Sequence, residues 1–178
     1  KGDFPLALGG RCFPLGVLDD HSRYNLNLTA HTNQQTATVR DRFEAVFDRY
    51  GLPTRMLFDN GSPWGTGGSP TKWTGLTVWL LDLGIVISHS RPRHPQTLGK
   101  EERFHATLDR EVLDTRPQWD TPTDVQAAFD EWRPIYNHQR PHDSLGATVV
   151  PADRYQPSPR RAPDRIAPAT YPDSCAAR

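Results

Sequence analysis

Cysteine is nearly absent from this 178-residue chain: there are two, Cys12 and Cys175, far apart and outside any metal-ligand spacing. A disulfide scaffold and a structural zinc site are therefore not expected. Long apolar runs are missing as well, and mean hydropathy is −0.69. No stretch approaches the roughly 20 apolar residues that a membrane-spanning helix needs. No secretory signal pattern is read, so a reducing cytoplasm is the expected setting. Lysine is scarce, with Lys1, Lys72 and Lys100 set against 18 arginines. Arginine forks suit phosphate geometry, although a GC-rich genome would leave the same bias. Charge of one sign is lacking too, since the formal net charge is zero. Bulk charge thus argues neither for nor against nucleic acid.

What is present can bury one good core. The chain opens on Lys1 rather than methionine, in what reads as the middle of a strand, and a fragment is expected. Residues 4–8 and 12–18 flank Gly9-Gly10, a hairpin signal. A third strand, 24–30, alternates as YNLNLTA after the turn at Asp19-Asp20. Residues 33–50 carry Val39, Phe43, Val46, Phe47 and Tyr50 at helical spacing, with Gly51 and Pro53 as the stop. A short strand at 55–58 delivers Asp59 at its carboxyl end. The loop 60–70 is rich in glycine and proline and is expected to be mobile. A helix at about 71–83, capped by Gly84, leads to a strand at 85–88. A last amphipathic helix is expected over 123–137, with a capping box of Thr123 and Gln126 and a kink at Pro134. From Pro151 on, proline and arginine dominate, which reads as an extended or disordered tail. The order β-β-β-α-β-α-β-α predicts an α/β fold, a mixed sheet with helices on its faces.

The stretch from His89 to Arg116 organises the rest. A proline-broken basic loop turns at residues 96–99 into a helix with carboxylates in its first turn. At about 100° per residue, Phe104, Leu108 and Val112 form a core stripe. Glu102 falls almost opposite, with His105 and Asp109 on its side, whereas Glu101 projects near the margin of the core stripe. Arg103, Thr107 and Arg110 make a third, basic stripe. A solvated helix face would carry the same charges. If one glutamate here does chemistry, the wheel favours Glu102.

A carboxylate at a strand end and another on a later helix can meet across a cleft, and ligands in such sheets gather at the carboxyl ends of the parallel strands. Two or three such groups are what hard divalent cations need, with positions left for water and phosphate. Two ions about 3.5–4 Å apart stabilise the attacking and leaving oxygens of phosphodiester chemistry. Asp59 and Glu102 are the candidates, although Asp59-Asn60-Gly61 is equally a common turn. Asp19 and Asp20 read as turn residues. Lys100, Arg103 and Arg110 could hold phosphates or be ordinary surface charge. His94 is read as orienting the loop beside them. The histidines form no zinc pattern.

Four segments occur in order: LDDHSRY at 18–24, LFDNGSPW at 57–64, HPQTLGKEERFH at 94–105 and YNHQRPHDSLG at 136–146. Together they resemble the integrase-type catalytic core of bacterial insertion-sequence transposases, related to retroviral integrases, over roughly residues 1–155. The resemblance implies a ribonuclease H-like fold: a mixed five-stranded sheet with helices on both faces. Residues 1–120 would form the catalytic core, 121–150 a helix and end motif completing it, and 151–178 the tail. It implies an Asp-Asp-Glu triad binding Mg²⁺ or Mn²⁺, two ions in the intact site, with Asp59 and Glu102 as the second and third members. The first Asp lies in a pattern like Asp-aromatic-Lys-Gly, whose last letters match Lys1-Gly2, so it would sit about two residues upstream of Lys1; Asp3 is offset and is not promoted.

The expected function is that of a transposase: metal-dependent DNA cleavage and strand transfer in the intact protein. The chain as it stands is expected to be inactive. Lys100, Arg103, Arg110 and His94 would contact DNA, the partner at element ends and target, in a homo-oligomer at the bacterial nucleoid. Tyr136, Asn137, Arg140, Pro141 and His142 match an end motif expected to pack the last helix. The alternative is a catalytically inactive DNA-binding or assembly remnant.

Overall fold

A computed structural model describes residues 2–59, 61–64, 73–89 and 99–163. Strands β1 (Phe4–Pro5), β2 (Arg11–Leu18) and β3 (Asn25–His31) form an antiparallel meander in the order β1-β2-β3. Helix α1 (Thr36–Tyr50) follows, then β4 (Arg55–Phe58), α2 (Gly75–Asp82) and β5 (Val86–His89), with β4 and β5 parallel. The last elements are α3 (Gly99–Glu111), a 3₁₀ turn (Leu113–Thr115), α4 (Pro122–His138) and the short α5 (Pro151–Arg154).

The α/β class and the element order are as expected, and five strands are present. Their hydrogen bonding is divided, however. Among the described residues the strands form a three-stranded sheet and a separate two-stranded one. The physical reason lies in β1, which is two residues long and pairs only with β2, Phe4 opposite Cys12 and Pro5 opposite Arg11. The chain then turns at Leu6, whose N–H reaches the Gly10 carbonyl at 3.1 Å, and Ala7 donates to Trp119 O at 2.8 Å. Backbone spent there extends no strand toward β4. One consequence is that Leu57 and Val86, on the outer face of the β4–β5 pair, stay 37% and 47% exposed.

Side-chain alternation on β2 assigns the two cores. Leu15 and Val17 point toward α1, α2, β4 and β5, packing with Phe43, Phe47, Trp79 and Leu80. Cys12 and Leu18 point the other way, toward Phe104, Leu108, Val125 and Tyr136 of α3 and α4. The meander is thus covered by helices on both faces. Gly16 has a specific reason to be glycine: a Cβ there would sit 3.3 Å from Phe104 Cε1, so the missing side chain lets α3 approach.

Helix ends follow local chemistry. Beyond α2, Gly84 takes φ +69° and donates to Leu81 O while Ile85 donates to Leu80 O, a left-handed stop of the kind glycine favours. The capping box of α4 lies two residues earlier than expected. Thr121 and Asp124 form it, because Pro122 fits the first helical turn with no N–H to waste. Gln126 instead reaches the edge of β3, accepting from Ala30 N at 2.8 Å and donating to Leu28 O at 3.3 Å.

The segment after α4 is more ordered than its composition suggests. Residues 155–163 are extended in backbone but docked. Tyr155 stacks on Tyr24 at 4.4 Å, and Arg160 donates to the carbonyls of Pro53, Leu83 and Gly84 at 2.7, 3.1 and 3.0 Å. Arg160 satisfies carbonyls at the end of α2 that have no helical partner. Residues 164–178 of the expected tail lie outside the described residues.

Candidate functional site

Asp59 follows β4 directly, at the carboxyl end of the parallel pair, and His89 ends the neighbouring strand β5. The two are joined, His89 Nδ1 lying 3.0 Å from the Asp59 carbonyl oxygen. Among the described residues, donors reach one oxygen of the Asp59 carboxylate. Oδ1 accepts from Gly61 N–H at 2.8 Å and from the Trp64 indole N–H at 2.6 Å. Trp64 is itself fixed by stacking on Phe58 at 5.3 Å. Among the described residues no donor reaches Oδ2. The turn reading of this segment is therefore present in the Gly61 bond, and Asp59 is exposed. Sequence reasoning missed Trp64; its place in an aromatic-poor loop five residues after Asp59 was the available signal.

The acidic start of α3 stands near this strand end. Burial pushes the Glu101 carboxyl up, and the negative charges of Asp59 and Glu102 push it further. Glu101 also lies 3.9 Å from His105 Nε2, one turn along. Glu102 is exposed. Glu101 is half-buried, in keeping with its place near the margin of the core stripe, and the charge of Asp59 is among those it feels. A helical wheel ignores the axial lean of side chains. Every Cα–Cβ bond tilts toward the helix N-terminus, so both first-turn glutamates lean back toward the residues that precede α3.

Lys100 is engaged. Its Nζ meets Asp20 Oδ2 at 2.7 Å and the Asp20 carbonyl at 3.2 Å, tying α3 to the β2–β3 turn. Both side chains are largely solvated, so the pair is weak, on the order of 0–1 kcal/mol, and can open to another anion. Asp19 has the turn role expected of it, accepting from Ser22 N–H and Oγ at 2.8 and 2.5 Å. Asp3 pairs with Arg11 on the opening hairpin. Arg103 and Arg110 lie on one face of α3, where both line a cavity of about 330 Å³ with Arg140 and His142. His94 lies outside the described residues.

The segment 136–146 packs the last helix, and it does so through polar groups. Tyr136 and Asn137 are almost fully buried. Asn137 behaves like an extra strand residue: Oδ1 accepts from Asn25 N–H at 2.8 Å and Nδ2 donates to Asn25 O at 3.0 Å. Glu111 at the end of α3 accepts from Trp132 Nε1 and Arg140 Nε, both at 2.9 Å, which fastens α3 to α4.

The donor set fits a hard divalent cation. Asp59 Oδ2 and the exposed Glu102 carboxylate are oxygen donors, the type Mg²⁺ and Mn²⁺ prefer. Among the described residues no group of three or more His, Cys, Asp or Glu side chains is assembled for a metal. The remaining coordination positions would fall to water and to a bound phosphate.

Residues 83–148 match the model of the integrase core domain family. That span takes in Glu101, Glu102, Arg103, Arg110, Arg140 and His142, and stops short of Asp59. Three solved structures share the fold. The simian T-cell lymphotropic virus intasome superposes at TM-score 0.65 with 14% identity, covering 96% of this chain and 58% of that one. The catalytic core domain of BIV integrase gives 0.61 at 16% identity, covering 85% of this chain and 88% of that one. The HTLV-2 integrase catalytic core domain in complex with magnesium gives 0.58 at 13%, covering 85% and 88%. The chain thus has the ribonuclease H-like α/β fold of integrase catalytic cores.

Proposed function

We propose that this chain is the catalytic core of a DDE-type transposase, the class that cleaves DNA and joins its 3′ ends to a target. The observation that carries the reading is the integrase-core fold, with Asp59 at the carboxyl end of the parallel β4–β5 pair and Glu102 exposed at the start of α3. The integrase core match over 83–148 supports the same class. A bacterial insertion-sequence origin rests on the four sequence segments alone.

In this reading Asp59 and Glu102 hold the divalent ions, which supply charge stabilisation to the attacking and leaving oxygens of the displacement. The chain's own residues do the rest. Trp64 and Gly61 fix Asp59 by Oδ1. Lys100 exchanges Asp20 for a DNA phosphate, and Arg103 holds the backbone beside it. Burial, with the charges of Asp59 and Glu102 beside it, raises the proton affinity of the Glu101 carboxyl. The DNA partners are element ends and target, bound by a homo-oligomer.

Strand transfer in vitro with Mg²⁺ or Mn²⁺ tests the reading. The full-length protein is expected to be active, and Asp59→Asn or Glu102→Gln to abolish the activity. A full-length protein indifferent to both substitutions would overturn the proposal, and one that binds DNA but never cuts it would favour the non-catalytic remnant.

A further inference from the structure

Beside the carboxylates lies a cavity that their chemistry does not require. It encloses about 330 Å³ between α3 and the turn that follows α4. Arg103, Thr107 and Arg110 form one wall; Arg140, His142 and Asp143 form the other. The volume is near the lower end for ligand pockets, about 300–1,000 Å³, and suits a phosphodiester with its flanking sugar atoms. The walls are mainly polar, which disfavours an apolar occupant.

The charges are arranged for an anion. Arg140 gives its Nε to Glu111, and no described residue takes its terminal nitrogens. Arg110 touches Glu111 only at 3.5 Å. Arg103 is exposed, and its guanidinium donates to no described residue. Thr107 is occupied, its hydroxyl donating to Arg103 O at 2.9 Å. His142 is buried between the Tyr136 hydroxyl at 3.3 Å and the Ser144 hydroxyl at 3.4 Å. Burial first, then the positive charges of Arg140, Arg23 and Arg103, hold the His142 imidazole below its ordinary pKa, with Asp143 opposing. Positive charge therefore converges on this wall, opposed among the described residues by Asp143 in the wall and Glu111 beside it. Guanidinium forks match phosphate oxygens two at a time.

We propose that this cavity is a phosphate seat, in which Arg103, Arg110 and Arg140 grip one backbone phosphate of a nucleic-acid strand passing Glu102. Arg103 follows Glu102 in the chain, and Ala106 of the cavity wall lies one turn below Glu102. A strand crossing the carboxylates continues over the seat. The inference rests on the reading that the chain acts on DNA, and it adds Arg140 and the single shared phosphate.

Duplex binding by fluorescence anisotropy, followed against salt, tests it in the full chain. Each neutralised phosphate contributes roughly 0.9 to the slope of log K against log salt. Arg103→Ala and Arg140→Gln are each expected to weaken binding about tenfold and to lower the slope by roughly one. Because both grip the same phosphate, the double variant is expected to lose little more than either single one. Its slope falls by roughly one, not two. Additive losses with a slope change of about two, or silent variants on a chain that binds duplex, overturn the seat while leaving DNA binding intact. A wild-type chain that binds no duplex overturns the DNA reading itself. Should Arg140→Gln fail to fold, Arg103→Ala with Arg110→Ala gives the same cycle between exposed side chains.

Discussion

Replacing Asn137 by alanine tests how the end of α4 is held. Asn137 and Asn25 are 2% and 0% exposed, so water cannot take over what the amide provides. Its loss leaves the Asn25 N–H without the bond to Oδ1 and the Asn25 carbonyl without the bond from Nδ2. An unsatisfied buried group costs about 1–3 kcal/mol. Because the carbonyl can share a strand bond, the expected total is roughly 2–4 kcal/mol. Urea unfolding followed by far-UV circular dichroism measures it. With m of about 2 kcal/mol/M, the midpoint falls by roughly 1–2 M at unchanged m. Gln139→Ala, two residues on and exposed, is the control and is expected to stay within about 0.5 kcal/mol of wild type. If the two variants unfold together, Asn137 does not clamp β3, and the account of this segment fails.

Two further outcomes are expected. Cys12 is fully buried, and desolvation pushes its thiol up to about 11, so a thiol reagent should label it only on unfolding; labelling at the rate of a free thiol in native buffer would contradict its placement. Burial raises the Glu111 carboxyl, but bonds from Trp132, Arg140 and Arg110 outweigh burial and hold it below the ordinary range. A lowered folded pKa stabilises above the unfolded value and is lost as pH falls through the folded one. Glu111→Gln should therefore be less stable than wild type near pH 7, with the gap narrowing toward pH 3; a gap that widens in acid would refute the sign.

Much of the architecture was legible because periodicity reports burial. The α1 stripe Val39, Phe43, Val46, Phe47 and Tyr50 is buried as read, and the strands are found near their expected positions. Local reading failed where long-range partners decide. The opening strand stops at Pro5 because the following backbone bonds to Trp119 and Asp120, which no local pattern announces. Residues 155–161 looked like tail by composition, yet Arg160 completes the carbonyls of a distant helix end. Within the candidate site, Asp59 was readable from its strand, while its anchor Trp64 sat in a loop with no periodicity.

The partition of α3 explains why its acidic and basic faces cannot drift apart. One face, Phe104 and Leu108, is buried in the second core, with Phe104 pressed toward Gly16. That contact sets the rotation of the helix about its axis, since turning it would drive the ring into β2. Neighbouring residues differ by about 100°. Fixing Phe104 therefore fixes Glu101, Glu102 and Arg103 together. The wheel ranked the glutamates by azimuth alone, although near a helix start the lean toward the N-terminus counts as much. The guanidinium of Arg103 is carried to the face adjacent to both carboxyls. A bulky residue at position 16 would rotate or lift α3, displacing carboxylates and arginines as one body.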